Sequence, residues 1–208
     1  MATFDRSILA YVPSLEAAHA LVTNNPKFDS FLSEFQTVAA QHQKDDIYRV
    51  TLVHRHTEVA LDHRIMDFKQ TLQTFPLHDS AQDIHGYPIR PKSLVLHEGQ
   101  WKPYEYEFGA SDDSSDSTFL ARVQEMIKHH GLEYVGLRRY SPTDPEELEI
   151  TASGGISVKV PWNSLLETKF SYQQLVWAFP SGQPKNYRCS CRDTGSSTNP
   201  NHNHINQP

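Results

Sequence analysis

The segment IYRVTLVHRH, residues 47–56, decides the predicted fold. It is rich in β-branched and aromatic residues, which are enriched in strands. Because successive side chains of a strand point to opposite faces, one face would carry Tyr48, Val50, Leu52, His54 and His56. The first three of these are apolar and predict that this face is buried. The two histidines would then lie at the buried end of the strand, where the chain turns.

Helices are predicted before this strand. Ser14 is a typical N-cap for a short helix, whose inner face would be Leu15, Ala18, Leu21 and Val22. Asn25 and Pro26 predict the start of a longer helix, with Asn25 as N-cap and Pro26 in the first helical position. Apolar residues then recur with the period of an amphipathic helix, at Phe28, Phe31, Leu32, Phe35, Val38 and Ala39.

The rest of the chain predicts further strands around one central helix. The apolar positions of that helix are Phe119, Leu120, Val123, Met126 and Ile127, with Gly131 just past its end. Strands are predicted at 93–96, 101–108, 133–139, 147–160 and 175–179, and also at 64–72, where a helical turn fits as well. The segment 147–160 is broken at residues 153–155, Ser-Gly-Gly, which predict a hairpin turn. Residues 74–92, with three prolines, predict a long loop.

Together these elements predict an α+β domain over residues 1–180. Its sheet would be mainly antiparallel and packed on one face by the N-terminal helices and the central helix. From residue 181 the composition changes to Ser, Asn, Pro, Gly and His, so residues 181–208 are predicted to form a disordered tail.

The composition excludes several classes of protein. The 208 residues carry 19 Lys and Arg against 25 Asp and Glu, a net charge of −6, so the basic footprint of a nucleic-acid-binding protein is absent. There is no long apolar run and no N-terminal secretory signal, so we expect a soluble, cytoplasmic protein without a membrane partner. The glycine-rich patterns of nucleotide-cofactor sites are missing too. The oligomeric state stays open.

The candidate site is the pair His54 and His56. Two imidazoles two residues apart on one strand face can hold a divalent metal together, or act in acid–base chemistry near neutral pH. Glu58 follows the pair, Asp62 follows the turn, and His97 is predicted near a strand end, so any of the three could orient an imidazole. The predicted catalytic residues are therefore His54, His56, Glu58 and His97, and the predicted metal ligands are His54 and His56. In the alternative interpretation, one histidine is a bonded core residue and the other faces water.

A second set of metal-compatible side chains lies in the predicted tail, at Cys189, Cys191, His202 and His204. Their spacing differs from that of structural zinc sites, and the residues between them lack the apolar positions of a zinc finger. We expect a loose, adventitious metal affinity here rather than a structural zinc.

Two resemblances bear on function. The spacing His54-Arg55-His56 is similar to the start of the cupin metal motif, but the flanking glycines and the second motif are missing. The N-terminal helices also argue against a barrel made of strands alone, so we reject this family but not metal binding. Leu52–His56, followed by a glutamate and a strand, resembles segments of uncharacterised small proteins of filamentous fungi, as does the Cys/His-containing tail. That resemblance implies a soluble intracellular fungal protein, and some such proteins are encoded beside specialised-metabolite pathways.

Two functions follow as expectations. The first is an accessory enzyme of fungal specialised metabolism, in which His54 and His56 form the floor of a small-molecule pocket. It would use acid–base or metal-assisted chemistry for an isomerisation, hydration or cyclisation. The second is a non-catalytic binding or protein-interaction module with structural histidines. Both histidines lying in an enclosed space beside another polar side chain would favour the enzyme.

Overall fold

The computed structural model describes residues 5–56, 59–60, 63–68, 71–76, 86–110, 117–140, 147–151, 156–161, 173–177 and 187–191. The helices are α1 (Ser7–Tyr11), α2 (Leu15–Thr23), α3 (Phe28–Gln41) and α4 (Ser117–His130). The strands are β1 (Tyr48–Leu52), β2 (His63–Asp67), β3 (Thr71–Pro76), β4 (Ile89–His97), β5 (Gln100–Phe108), β6 (Val135–Arg139), β7 (Glu147–Thr151), β8 (Ile156–Pro161), β9 (Gln173–Trp177) and β10 (Tyr187–Cys191). None of the helices in the described ranges is long and apolar enough to cross a membrane.

The described strands form a closed barrel in the order β1-β6-β4-β5-β2-β3-β8-β7-β10-β9, and β9 pairs back with β1. Most neighbouring strands are antiparallel, and the pairs β2–β5 and β7–β10 are parallel. The protein therefore has the predicted α+β class and mainly antiparallel sheet. Closure of that sheet was not anticipated, because the sequence pattern indicates which segments are strands and not which edges meet.

The outer face of β1 and β6 packs against α2, α3 and α4. Tyr48, Val50 and Leu52 share this core with Val135 and Leu137. The helices contribute Leu15, Ala18, Val22, Phe28, Phe31, Phe35, Val38, Ala39, Phe119, Val123, Met126 and Ile127. The predicted helix faces are thus confirmed, except that Leu21 is 54% exposed. Each large apolar side chain buried in this way contributes about 1.5–3 kcal/mol, so the core determines which face of β1 looks into the barrel.

An apolar layer closes one end of the barrel. Alternation along β1 turns Arg49 and Thr51 inward, and Val53 follows them just beyond the strand. The layer consists of Val53 together with Ile8, Val12, Ile65, Val95 and Tyr104. Because Ile8 belongs to α1 and Val12 is its C-cap, this short helix covers the end of the barrel next to the predicted site.

Some element boundaries differ from the predicted ones. Ser14 caps α2 as expected, since its side chain accepts a hydrogen bond from a backbone N–H of the first turn. The long helix α3 begins at Phe28 rather than Pro26, because Asn25 accepts a hydrogen bond from the Lys27 N–H and forms a turn first. The predicted loop at 74–92 contains the end of β3 and the start of β4.

Strand β10 lies within the segment predicted to be a tail. It pairs with β7 and β9 and thereby completes the barrel, so the barrel strands extend beyond the boundary predicted at residue 180. Cys189 and Cys191 belong to this strand. His202 and His204 lie outside the described residues, and the disorder of 192–208 stays a prediction.

Candidate functional site

The segment that carries the two histidines leaves the sheet at the end of β1. The strand ends at Leu52, after which the Val53 N–H donates to the Tyr134 carbonyl at 2.7 Å. His54 and His56 are 1% and 5% exposed, so both are buried as predicted. They do not continue the helix-facing side of β1, however. His56 instead contacts carboxylates of the barrel strands, which corrects the predicted strand face.

His56 lies between two glutamates inside the barrel. Its Nε2 is 3.2 Å from Oε1 of Glu105 on β5, and its Nδ1 is 2.7 Å from Oε1 of Glu149 on β7. Strands β5 and β7 are four places apart in the barrel order, so one imidazole spans the interior between them. The Nδ1 contact is an ion pair without the alignment of a hydrogen bond.

Four further contacts extend this pair into a larger group. Arg138 on β6 pairs with Glu105 and also with Asp67 on β2, where Nη2 and Oδ2 are 2.8 Å apart. Lys159 on β8 lies 2.5 Å from the same Asp67 oxygen. Lys159 and Glu149 are directly opposed in the β7–β8 ladder, so the chain of contacts that begins at Glu149 closes at its neighbour Lys159. We call these six buried residues the charge ring: Glu149, His56, Glu105, Arg138, Asp67 and Lys159.

The charges in this ring change the acid–base properties of its members. Burial alone would lower the pKa of His56, but the charge of Glu149 and the hydrogen bond to Glu105 raise it to about 9. Burial would raise the pKa of Glu105, but the Arg138 guanidinium and His56 lower it to about 2. His56 is therefore an imidazolium at neutral pH, and the three cations of the ring balance its three anions.

Tyr104 joins the histidine segment to the ring. Shifts in the β4–β5 register on both sides of Ser93 mark a bulge, and the consecutive residues Tyr104 and Glu105 both contact the histidine segment. The Tyr104 hydroxyl donates to the His54 carbonyl at 2.6 Å, while its ring stacks on His56 at 6.4 Å between centroids. The His54 and His56 rings are 4.2 Å apart. Burial raises the pKa of Tyr104 well above its usual value, so its hydroxyl stays protonated.

The structure brings only part of the predicted site together. The His54 and His56 rings are adjacent, but Glu58 and Asp62 lie outside the described residues. His97 lies apart from these two histidines. It contacts the Ser7 hydroxyl at 3.0 Å and the Tyr11 ring, whose centroid is 4.6 Å from its own, and thereby links β4 to α1. No three His, Cys, Asp or Glu in the described part of the chain are arranged to hold a metal ion. Metal binding by His54 and His56 stays a prediction, with both nitrogens of His56 facing carboxylates.

Sequence reasoning missed the charged partners of His56. A signal for them was present: Glu105 stands between Tyr104 and Tyr106, and Glu149 between Leu148 and Ile150. A charge enclosed by apolar or aromatic neighbours within a strand is unusual and marks a position worth testing as interior.

The fold and the site together define an α+β protein with a closed barrel of strands and a buried, alternating set of ionised side chains inside it. The sequence matches no protein-family model, and neither a curated protein nor a solved structure is significantly similar to it.

Proposed function

We propose that the barrel interior is a small-molecule site in which His56 and its carboxylates transfer protons. The reaction class is an isomerisation, hydration or cyclisation. One observation carries the proposal: His56 is enclosed between Glu105 and Glu149, with a pKa raised to about 9. An imidazolium in this position can donate a proton to a bound substrate, which is the role of a general acid.

The two glutamates have different roles in this proposal. Glu105 is held by Arg138 and remains ionised, so it keeps the charge of His56 in place. Glu149 is 0% exposed and touches the other imidazole nitrogen, from which it can take a proton and later return it. The Tyr104 hydroxyl holds the backbone carbonyl of His54, and this contact orients the imidazole of His56 two residues further on.

The cost of such a ring supports a functional role. Removing six charged groups from water carries a large desolvation penalty, and apolar side chains of similar volume often give equal or greater stability. Ionisable groups with strongly shifted pKa values are also concentrated at functional sites. Stability alone therefore gives no reason to keep three cations and three anions inside a barrel.

One observation favours the alternative, a non-catalytic binding module with structural histidines. The ring members pair with one another, as expected if the ring only specifies how the strands meet. The two functions differ in what the loss of His56 does to a folded protein. A binding module keeps its biological effect as long as the fold and the ligand site survive.

The test is complementation of a strain that lacks the gene. Metabolite profiles are compared after expression of wild type, His56→Gln, Glu149→Gln and His129→Asn. His129 lies at the exposed end of α4 and is the matched control. We expect wild type and the control to restore the profile, and His56→Gln to leave one metabolite accumulated although circular dichroism shows a folded protein. Restoration by folded His56→Gln would refute the enzyme and support the binding module.

A further inference from the structure

Arg49 is a further buried cation on the inner face of the barrel, outside the charge ring. It is 3% exposed and pairs directly across the β1–β6 ladder with Arg138. Like charges in directly opposed positions destabilise a sheet unless something neutralises them. Arg138 is neutralised by Glu105 and Asp67, but those carboxylates do not reach Arg49.

The contacts of Arg49 with the described residues leave one edge of its guanidinium, formed by Nε and Nη2, without a hydrogen bond. Nη1 donates to the backbone carbonyls of Tyr48, at 3.0 Å, and of Asp45. The Tyr140 ring covers one face of the group at 4.4 Å from its centroid. Nε is buried and has no hydrogen-bond partner in the part of the chain that the structure describes. Among the described residues, no carboxylate lies within ion-pair distance of this group. Burial lowers the pKa of Arg49, and the more distant charges of Tyr140, Asp46 and Asp45 offset this effect only in part.

We propose that the edge formed by Nε and Nη2 of Arg49 binds a carboxylate of the small molecule. This inference rests on the proposed function, because it names the ligand class of that barrel. The edge presents two parallel N–H groups, which match the two oxygens of a carboxylate. Two carbonyls and a tyrosine ring already fix the group, so it is preorganised for binding. The charge ring is neutral, so Arg49 supplies the positive charge that favours an anionic ligand over a neutral one.

The inference is tested by NMR on the Arg49 Nε–H group, assigned from the spectrum of Arg49→Lys. Benzoate is titrated into the wild-type protein, and benzamide serves as its uncharged counterpart. We expect benzoate to shift the Nε–H resonance downfield in a saturable manner, and benzamide to leave it unchanged. The inference is overturned if neither benzoate nor acetate moves this resonance, if inorganic phosphate alone moves it, or if benzamide moves it equally.

Variants then measure how much benzoate binding depends on the two parallel N–H groups of Arg49. Arg49→Lys keeps the charge but not the paired N–H groups, and it should weaken benzoate binding by about tenfold or more. Arg49→Gln should weaken it further, while Arg122→Gln, on the exposed face of α4, should leave it unchanged. Equal affinity in Arg49→Lys, Arg49→Gln and wild type contradicts the inference. If Arg49→Gln does not fold, the wild-type titration and Arg49→Lys decide it.

The same titration in His56→Gln separates this inference from the proposed function. Arg49 should still bind benzoate in the His56→Gln variant, because His56 does not contact Arg49. A benzoate shift at Arg49 combined with complementation by His56→Gln would sustain the anion site and refute the proton-transfer function. Loss of complementation in His56→Gln without any shift at Arg49 would do the reverse.

Discussion

Raising the pH is predicted to destabilise this protein through His56. The unfolded imidazole has a pKa of 6.5, whereas the carboxylates of Glu149 and Glu105 raise the folded value to about 9. Below pH 6.5 both states hold the proton, and the ion pairs contribute in full. As the pH rises toward 9, the unfolded chain loses the proton while the folded barrel still retains it, so the free energy of unfolding falls.

The magnitude follows from the difference between the two pKa values. At 1.36 kcal/mol for each pKa unit, the change from 6.5 to about 9 corresponds to about 3 kcal/mol. The loss should be spread over this interval with a slope of about 1.4 kcal/mol per pH unit. Above pH 9 the proton leaves the folded state too, and this contribution is gone.

Urea unfolding at several values between about pH 6 and pH 9.5 measures this loss. The same series on His56→Gln should lack the slope, and His129→Asn should retain it, because that imidazole is exposed. His56→Gln should also be less stable at pH 6 by about 3–5 kcal/mol, since two buried carboxylates lose their cation. A free energy of unfolding that stays level or rises across the interval in wild type would refute the ion-paired imidazolium.

Three further changes test other parts of the structure. In acid, Glu105 should lose its stabilising charge as the pH falls from 4.5 toward 2. The free energy of unfolding of wild type should therefore fall by about 3 kcal/mol more than that of Glu105→Gln. Parallel acid unfolding curves of the two proteins would contradict this. A Cβ on Gly136 would meet the Leu94 carbonyl and lie 2.7 Å from Val53 Cγ2, so Gly136→Ala should cost about 2–3 kcal/mol in thermal unfolding. Gly131→Ala, which meets only left-handed backbone strain, should cost about 1 kcal/mol, and an equal cost at both positions would argue against the close strand approach. Tyr104→Phe removes the bond to the His54 carbonyl and should cost about 1–2 kcal/mol in urea unfolding, whereas an unchanged midpoint would show that the bond does not hold His54.

The sequence predicted the helices and strands whose formation depends on residues close together in the chain. The apolar period of α3 and the cap at Ser14 depend on neighbours within a few residues, and both appear in the structure. The strand character of β1 depends on its own β-branched and aromatic residues. These features determine where helices and strands form, which was enough to predict the α+β class.

Barrel closure and the charge ring depend on contacts between distant residues. β9 meets β1 more than a hundred residues away in sequence, and β10 is too polar to suggest a barrel strand by itself. The burial of His54 and His56 was predicted, but His56 lies beyond the end of β1. There the backbone is held by distant residues: the Arg55 N–H donates to the Pro13 carbonyl, and the Tyr104 hydroxyl donates to the His54 carbonyl. Glu105 and Glu149 become interior residues only once their strands are brought together.

The protonation state of His56 decides whether the barrel holds an ion-paired imidazolium. Selective ¹⁵N labelling of histidine, with His56→Gln to assign the signals, follows both ring nitrogens through a pH titration. We predict that both nitrogens of His56 carry protons at pH 7 and that the midpoint lies at about 9. A neutral ring at pH 7, with a midpoint at or below the ordinary value of 6.5, would contradict it.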